Sequence, residues 1–232
     1  MNQNEAEQKA RTAKVLELRP YNRSLPACTQ ELWPKFDKYL QRRGLSFTLA
    51  RANFWFPSDQ AGDGSPRVVI PASATPPNVF WQARAMDDNP KRYQSPAAPK
   101  GDALVVVWPN AKGNPPDSPD DGFIQVRKSS VIQGFALFEG PMDALAAAEL
   151  GYCGVATMGL PTIPGMEHFA SMCLGAVNRS RIVVLDSDYK KPMLQAAGML
   201  LELGARVKIL DPSPAKDFAE LDRVHRLRLM EG

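Results

Sequence analysis

The sequence predicts an α/β protein in two parts, an α+β N-terminal basic subdomain followed by a domain with a central parallel sheet. The second half repeats an apolar run followed by a helical pattern, which is typical of parallel strands joined by crossover helices. The first half has short apolar runs punctuated by proline and glycine, with no crossover helices between them, which indicates antiparallel pairing. The predicted units are a weakly ordered or helical segment over residues 1–30, the basic subdomain over 31–130 and the parallel-sheet domain over 131–232.

The composition is that of a globular protein without a membrane span. The chain has 232 residues, 44% of them hydrophobic, and a formal net charge of +3. It has no apolar run near the roughly 20 residues that a span needs, and its polar N-terminus lacks the apolar centre of a signal peptide. We therefore expect no membrane partner and a cytoplasmic location. Cys28, Cys153 and Cys173 are scattered and the chain has two histidines, so no zinc site is expected.

In the first half, one helix and several short strands are predicted. Residues 29–46 have apolar side chains at helical spacing and include Gly44, a plausible C-terminal cap. The arginines of this helix, Arg42 and Arg43, fit either a solvated face or a nucleic-acid contact. Positive charge outweighs negative charge further along, which suits a phosphate-bearing polymer. The predicted strands are 53–56, 67–72, 78–86 and 103–108.

A stretch rich in Pro, Asp and Gly, residues 110–122, predicts a surface loop between the two halves. One more strand follows it, and then the regular alternation of strands and helices runs to a short basic terminal helix. The predicted strands are 123–128, 135–138, 153–158, 182–186 and 206–210, and the predicted helices are 141–150, 166–176 and 191–203.

Carboxylates follow two of these predicted strands. Glu139 ends one strand and Asp143 falls on the next helical turn, while Asp186 and Asp188 end another. Open α/β sheets place their chemistry at the carboxyl ends of their strands. Four carboxylates gathered there would repel one another unless some were protonated or a cation lay among them. Because oxygen-only ligands suit hard cations, the sequence predicts a site for Mg²⁺ or Mn²⁺.

This order of acids, Glu139-Gly140-x-x-Asp143 and then Asp186-x-Asp188, resembles the TOPRIM domain. That Rossmann-like fold is shared by DnaG-type primases, topoisomerases and some nucleases. Asp217 resembles the first acid of the family's third acidic site, but Ala219 stands where a second acid is expected. The residues after the second motif also depart from the usual Ala-Gly pair, since here they are Tyr-Lys-Lys-Pro.

The first half resembles the basic subdomain of DnaG-type primases. An Arg-hydrophobic-x-Pro strand precedes a strand ending in an arginine and then a Lys-Tyr-x-Asn-Ser-Pro-like segment, in which Gln94 replaces the usual asparagine. The segment YLQRRGLS is similar to the helix that opens this subdomain. The matching residues are Arg67, Pro71, Arg84, Lys91, Tyr93, Ser95 and Pro96.

The resemblance implies synthesis of RNA primers on a single-stranded DNA template from ribonucleoside triphosphates. It implies that Asp186, Asp188 and Asp217 bind Mg²⁺ or Mn²⁺, and that Glu139 is a further ligand or a general base. Asp143 is either a metal ligand or a residue that orients the Glu139 loop. The implied catalytic residues are therefore Glu139, Asp186 and Asp188. The residues implied to hold template and triphosphate are Arg67, Arg84, Lys91, Arg92 and Lys100.

The zinc-binding domain, helicase and helicase-interaction domain that accompany many such primases are not recognisable in the sequence. We expect a minimal catalytic core, typical of a phage or mobile element, in a bacterial or infected-host cytoplasm. Such a core would work with a separate replicative helicase and with a separate zinc-domain protein. Two alternatives stay open: a non-catalytic TOPRIM protein that binds single-stranded DNA, and a TOPRIM nuclease.

Overall fold

The computed structural model describes residues 25–72, 80–109, 132–174, 179–186, 191–202, 204–209 and 217–231. The strands are β1 (Phe56–Ser58), β2 (Arg67–Ala72), β3 (Phe80–Ala85), β4 (Tyr93–Gln94), β5 (Val105–Val107), β6 (Gly134–Phe138), β7 (Cys153–Ala156), β8 (Ser180–Leu185) and β9 (Arg206–Ile209). The α-helices are α1 (Trp33–Arg42), α2 (Phe47–Ala52), α3 (Pro141–Ala148), α4 (Ile163–Leu174), α5 (Lys191–Leu201) and α6 (Arg223–Glu231). Short 3-10 turns lie at Gln30–Leu32 and Phe218–Glu220.

The predicted helix of the first half is α1, and its predicted cap is confirmed. The helix buries Phe36, Tyr39 and Leu40, which lie on one face at spacings of three and four residues. The chain leaves it through Gly44, whose φ of +63° is the left-handed conformation that glycine adopts without strain. The following helix, α2, was not expected from the sequence, because six residues are too few to show a helical period.

The first sheet is antiparallel, in the order β1-β2-β3-β4, as the sequence predicts. Strand β2 matches its predicted range, and it pairs along its length with β3, with Val68 opposite Arg84. Strand β4 carries the Lys-Tyr-x-Asn-Ser-Pro-like segment, and it pairs Tyr93 with Arg84. This pairing brings the tyrosine of that segment beside the arginine at the end of β3.

The second sheet has the order β5-β7-β6-β8-β9, with β7, β6, β8 and β9 parallel. The predicted central parallel sheet is therefore confirmed. Strand β5 corrects one expectation, because it pairs antiparallel with β7 instead of joining the sheet of the first half. Its three valines fit the edge of either sheet, so the sequence does not decide between them. The strand predicted at 123–128 lies outside the described residues.

The main hydrophobic core is shared by the two halves of the chain. Phe36 and Ile70 of the first half belong to the same buried cluster as Phe138 and Leu145 of the second. A second cluster fills the other face of the parallel sheet, beneath α4 and α5. Together these clusters fix how the basic half lies against the acidic strand ends. In the described part of the chain, no helix has the length and apolarity to cross a bilayer.

Candidate active site

The strand ends that carry Glu139 and Asp186 lie at one edge of the parallel sheet. Strands β6 and β8 are neighbours in parallel register, with Leu137 opposite Val183. Continuing that register places Glu139 opposite Leu185 and Gly140 opposite Asp186, so the two acids leave the sheet one residue out of step. Both side chains are half-buried. Asp188 lies outside the described residues, so its place at this edge stays a prediction.

Asp143 lies in the first turn of α3, where it is 4% exposed. One of its carboxylate oxygens accepts the backbone N–H of Ala219 at 2.8 Å. Burial raises the pKa of the Asp143 carboxyl well above its usual range, and the negative charges of Asp217 and Asp186 raise it further. Gly140 packs closely against this carboxylate because it has no side chain. A Cβ at this position would lie 2.6 Å from Asp143 Oδ2.

Asp217 precedes the 3-10 turn and caps it, accepting the backbone N–H of Glu220 at 3.1 Å. Burial and the charge of Glu220 raise the pKa of the Asp217 carboxyl, while Arg43 and Arg84 act in the opposite direction. Asp143, Asp186 and Asp217 are therefore close enough for their charges to interact. We call Glu139, Asp143, Asp186 and Asp217 the acidic edge.

The acidic edge fits a hard divalent cation by its chemistry, since it offers only carboxylate oxygens whose negative charges disfavour one another. Within the described residues, no three His, Cys, Asp or Glu side chains converge closely enough to form a complete metal site. Asp143 is buried and partly engaged by Ala219. Its position therefore suits a supporting role better than a place among the direct ligands.

Arginines and tyrosines from the first half face this edge. Arg84 donates from Nε to the hydroxyl of Tyr39 at 2.7 Å and from its terminal nitrogen to the hydroxyl of Tyr93. Its guanidinium also lies 4.8 Å from the centre of the Tyr93 ring. Arg43 lies 5.3 Å from the centre of the Tyr39 ring. We call Tyr39, Arg43, Arg84 and Tyr93 the basic wall. Its arginines interact with Asp217, and Arg84 also with Asp143.

The predicted nucleic-acid residue Lys100 lies beside Glu139. Its ammonium donates to the carbonyl of Thr157 at 2.7 Å and to that of Leu160, both in the turn after β7. Burial lowers the pKa of Lys100, and the charge of Glu139 acts against that shift. Lys100 thus holds the turn after β7 next to the acidic edge. Lys91 and Arg92 are exposed beyond β3, and their contact with nucleic acid stays a prediction.

The expectation that Arg67 binds nucleic acid is corrected by its position, because the side chain is 0% exposed. Its guanidinium donates to both carboxylate oxygens of Asp63 at 3.1 Å and to the carbonyl of Lys91 at 2.9 Å. Hydrogen bonds from Ser65, Arg67 and Asn89 hold the pKa of the Asp63 carboxyl below its usual range. Arg67 is therefore a structural residue that joins two loops at the end of the first sheet.

We expect Arg67→Met to lower the Tm by about 5 °C or more, because it removes a buried guanidinium and leaves its acceptors without a donor. The matched change of an exposed arginine, Arg92→Met, should leave the Tm nearly unchanged. Thermal unfolding followed by circular dichroism measures both. Equal Tm values for the two variants would contradict the structural role of Arg67.

A buried arginine behind the site was not found from the sequence. Arg226 of α6 is 4% exposed and donates to the carbonyl of Ala219 at 2.7 Å, and it forms an ion pair with Glu149 at 3.4 Å. Glu149 also accepts the backbone N–H of Ser46 in the first half. Both backbone groups of Ala219 are therefore held: Asp143 accepts its N–H, and Arg226 donates to its carbonyl. No sequence pattern marks this arginine among its basic neighbours.

No protein-family profile and no curated protein matches this sequence. Among solved structures, the E. coli primase catalytic core is similar, with a TM-score of 0.54 over 87% of this chain and 74% of that chain. The chain has the fold of a primase catalytic core. The sequence identity is 19%, so the likeness is one of fold. The primase fragment of the bacteriophage T7 primase-helicase protein gives a TM-score of 0.48 at 15% identity, over 91% of this chain and 80% of that chain.

The primase fold confirms the expected α/β class and the order of a basic half followed by a parallel-sheet half. In this chain the primase fold places the basic wall opposite the acidic edge. The two surfaces come from segments far apart in sequence, and the shared core holds them together. Arginine side chains that face carboxylates can bind a phosphate group, because their guanidinium groups donate charge-assisted hydrogen bonds to its oxygens.

Proposed function

We propose that this chain is a nucleotidyltransferase of the primase type, which synthesises short RNA primers on single-stranded DNA from ribonucleoside triphosphates. One observation carries the proposal: in a primase-core fold, Asp143 interacts with both Asp186 and Asp217, and Arg84 interacts with Asp143 and Asp217. Joining nucleotides requires charge stabilisation on a phosphate and a base for the attacking hydroxyl. The basic wall and the acidic edge contain groups of both kinds.

The proposed cofactor is Mg²⁺ or Mn²⁺, which Asp186 and Asp188 would hold. Glu139 and Asp217 would move toward the ion when it binds, because no three described acids converge without it. When bound, such an ion would neutralise charge on the reacting phosphate and lower the pKa of a coordinated hydroxyl. Asp143 would support the site from behind through its bond to the backbone of Ala219. This role differs from the alternative in which Asp143 orients the Glu139 loop, because its hydrogen bond goes to the turn that follows Asp217.

The residues of the chain itself have separate tasks in this proposal. Arg84 would bind phosphate oxygens, and the hydroxyls of Tyr39 and Tyr93 fix its guanidinium so that little side-chain entropy is lost on binding. Arg43 would add a second positive charge near Asp217. Glu139 is half-buried and could accept the proton of the attacking hydroxyl. Lys91 and Arg92, both exposed, would contact the template backbone.

The test is primer synthesis from labelled ribonucleotides on single-stranded DNA with Mg²⁺ or Mn²⁺. We expect the wild type to make product and Asp186→Asn to lose about a thousandfold in rate, because a loss of several kcal/mol of charge stabilisation has that effect. The matched control is Asp222→Asn, a change of an exposed carboxylate whose described partner is His225. Absence of product from the wild type would contradict the proposal.

The same assay separates the two alternatives. A protein that only binds single-stranded DNA would retain the oligonucleotide, give no product and be indifferent to Asp186→Asn. A nuclease would shorten the template in a metal-dependent reaction. A separate helicase and a separate zinc-domain protein are proposed partners that would raise the yield of primers when added.

We expect Asp143→Asn to raise the Tm of the metal-free protein by a few degrees, about 2–4 °C for each kcal/mol gained. The folded state raises the pKa of this carboxyl, so its ionised form destabilises the fold above the unfolded pKa. An asparagine oxygen can still accept the N–H of Ala219, and it carries no charge. The gain should vanish below about pH 4, where the aspartate is protonated in both states. A lower Tm for the variant at pH 7 would contradict the repulsion.

A further inference from the structure

We propose that the outer face of α1 is a second nucleic-acid contact, which binds the phosphodiester backbone of a strand beyond the acidic edge. This inference deepens the proposed function, because it rests on the chain's handling a polynucleotide. It assigns a ligand, from charge and geometry, to residues outside the acidic edge and the basic wall. We call Lys35, Lys38, Gln41 and Arg42 the α1 face.

The geometry of α1 separates an apolar face from a basic one. Phe36, Tyr39 and Leu40 are buried in the main core. The four residues of the α1 face line one shallow, open concavity on the other side of the helix. Lys35, Lys38 and Arg42 are spaced by three and four residues, so they form one row along the helix. Seven residues of helix rise about 10 Å, which matches roughly three phosphates of one strand at about 3.4 Å each.

Few negative charges oppose this row. The Asp37 carboxylate accepts a hydrogen bond from Gln41 at 2.9 Å, and Lys35 is paired with Asp87 at 3.7 Å. Exposed Glu31 lies one turn before Lys35, at the start of the row. Lys38 and Arg42 are exposed and form no ion pair with any described residue. Positive charge is therefore least compensated toward the C-terminal end of α1.

That end of the helix leads directly to the candidate active site. Arg42 is exposed on the α1 face, while the next residue, Arg43, belongs to the basic wall and interacts with Asp217. The α1 face and the basic wall therefore both reach the C-terminal end of α1. Like charges at a spacing of four residues, such as Lys38 and Arg42, destabilise a helix. A phosphate backbone along the row would turn this repulsion into attraction.

The experiment measures binding of fluorescent oligonucleotides by anisotropy at several salt concentrations, with the double variant Lys38→Ala/Arg42→Ala. The matched control is Arg179→Ala/Arg228→Ala, which removes the same charge from exposed positions elsewhere. The probes are a single-stranded DNA, a double-stranded DNA and an RNA–DNA hybrid, each of twenty nucleotides per strand. We expect about a tenfold loss of affinity for the α1 variant. The slope of log affinity against log salt should fall in magnitude by about 1.4 for single strands and about 1.8 for duplex, because two phosphate-contacting charges are removed.

Loss confined to single-stranded DNA would identify the bound strand as template, and loss confined to the hybrid would place the product duplex on the α1 face. Either result supports the proposal, as does loss with all three probes. The proposal is overturned if the α1 variant and the control variant have equal affinity for every probe that the wild type binds. The readout is independent of catalysis: a chain that makes no primers but loses binding only in the α1 variant would contradict the proposed polymerase and leave this surface established.

Discussion

Arg226→Met should lower the free energy of unfolding by about 3 kcal/mol or more, because it breaks a buried ion pair by removing one partner. Arg226 is 4% exposed, and its loss leaves the Oε2 atom of Glu149 and the carbonyl of Ala219 without their donor, while Oε1 of Glu149 keeps the N–H of Ser46. Ala219 also donates to Asp143, so the change should loosen the turn that carries Asp217. We therefore expect weaker Mn²⁺ binding, measured by electron paramagnetic resonance, together with the loss of stability, measured by urea unfolding.

The controls separate the charge of Arg226 from its contacts. Arg226→Lys keeps the positive charge but loses the fork that reaches both acceptors, so we expect an intermediate stability. Arg228→Met changes an exposed arginine of the same helix and should stay within about 0.5 kcal/mol of the wild type. If Arg226→Met bound Mn²⁺ more tightly than the wild type, Arg226 would act on the site only through its charge. The proposal that Arg226 positions the turn that carries Asp217 would then be wrong.

Gly154→Ala should cost about 3 kcal/mol or more, because the added methyl group has no room. A Cβ at this position of β7 would lie 1.9 Å from the backbone carbonyl oxygen of Ala144 in α3. Backbone cannot move aside as a flexible side chain can, so α3 must shift away from the sheet. Asp143 precedes Ala144, so this shift would displace the acidic edge as well. Urea unfolding measures the loss, and hydrogen exchange of the α3 amides should increase.

The matched control is Gly198→Ala in α5. A Cβ at Gly198 would meet nothing within 4 Å, and the residue lies inside a helix. Replacing it should therefore stabilise the protein by about 0.5–1 kcal/mol, since alanine loses less backbone entropy than glycine. The two substitutions add the same methyl group and should act in opposite directions. A similar loss at both sites would show that neither packing nor helix propensity decides the outcome.

Some of this fold and site could be predicted because short-range chemistry decides them. Apolar runs rich in branched residues can be buried on both faces, which identified β6, β7, β8 and β9 as parallel strands. The ends of such strands meet at one edge, which brought Glu139 and Asp186 together in the prediction. Gly44 was recognisable as a cap because few other residues adopt its conformation.

Other features depend on segments that meet only in the folded chain. The burial of Arg67 requires both faces of the first sheet to be covered. The sequence of β2 does not reveal the separate small cluster, which includes Phe56, Val69 and Trp81, on the face of this sheet away from the main core. The partner of Arg226 is 77 residues away, and nothing in either segment points to the other. Ala219 looked like a lost acid in the sequence, yet its backbone, which any residue supplies, is what Asp143 and Arg226 hold.

The joint burial of Phe36, Ile70, Phe138 and Leu145 has a consequence for how the protein can be taken apart. A fragment starting near residue 131 would expose the apolar surface that the first half covers in the intact protein. We therefore expect this fragment to aggregate when it is expressed alone. Two fragments divided within residues 110–131 should instead co-purify when they are produced together. The parts of the two halves that share this core should accordingly unfold together, with a single transition in calorimetry.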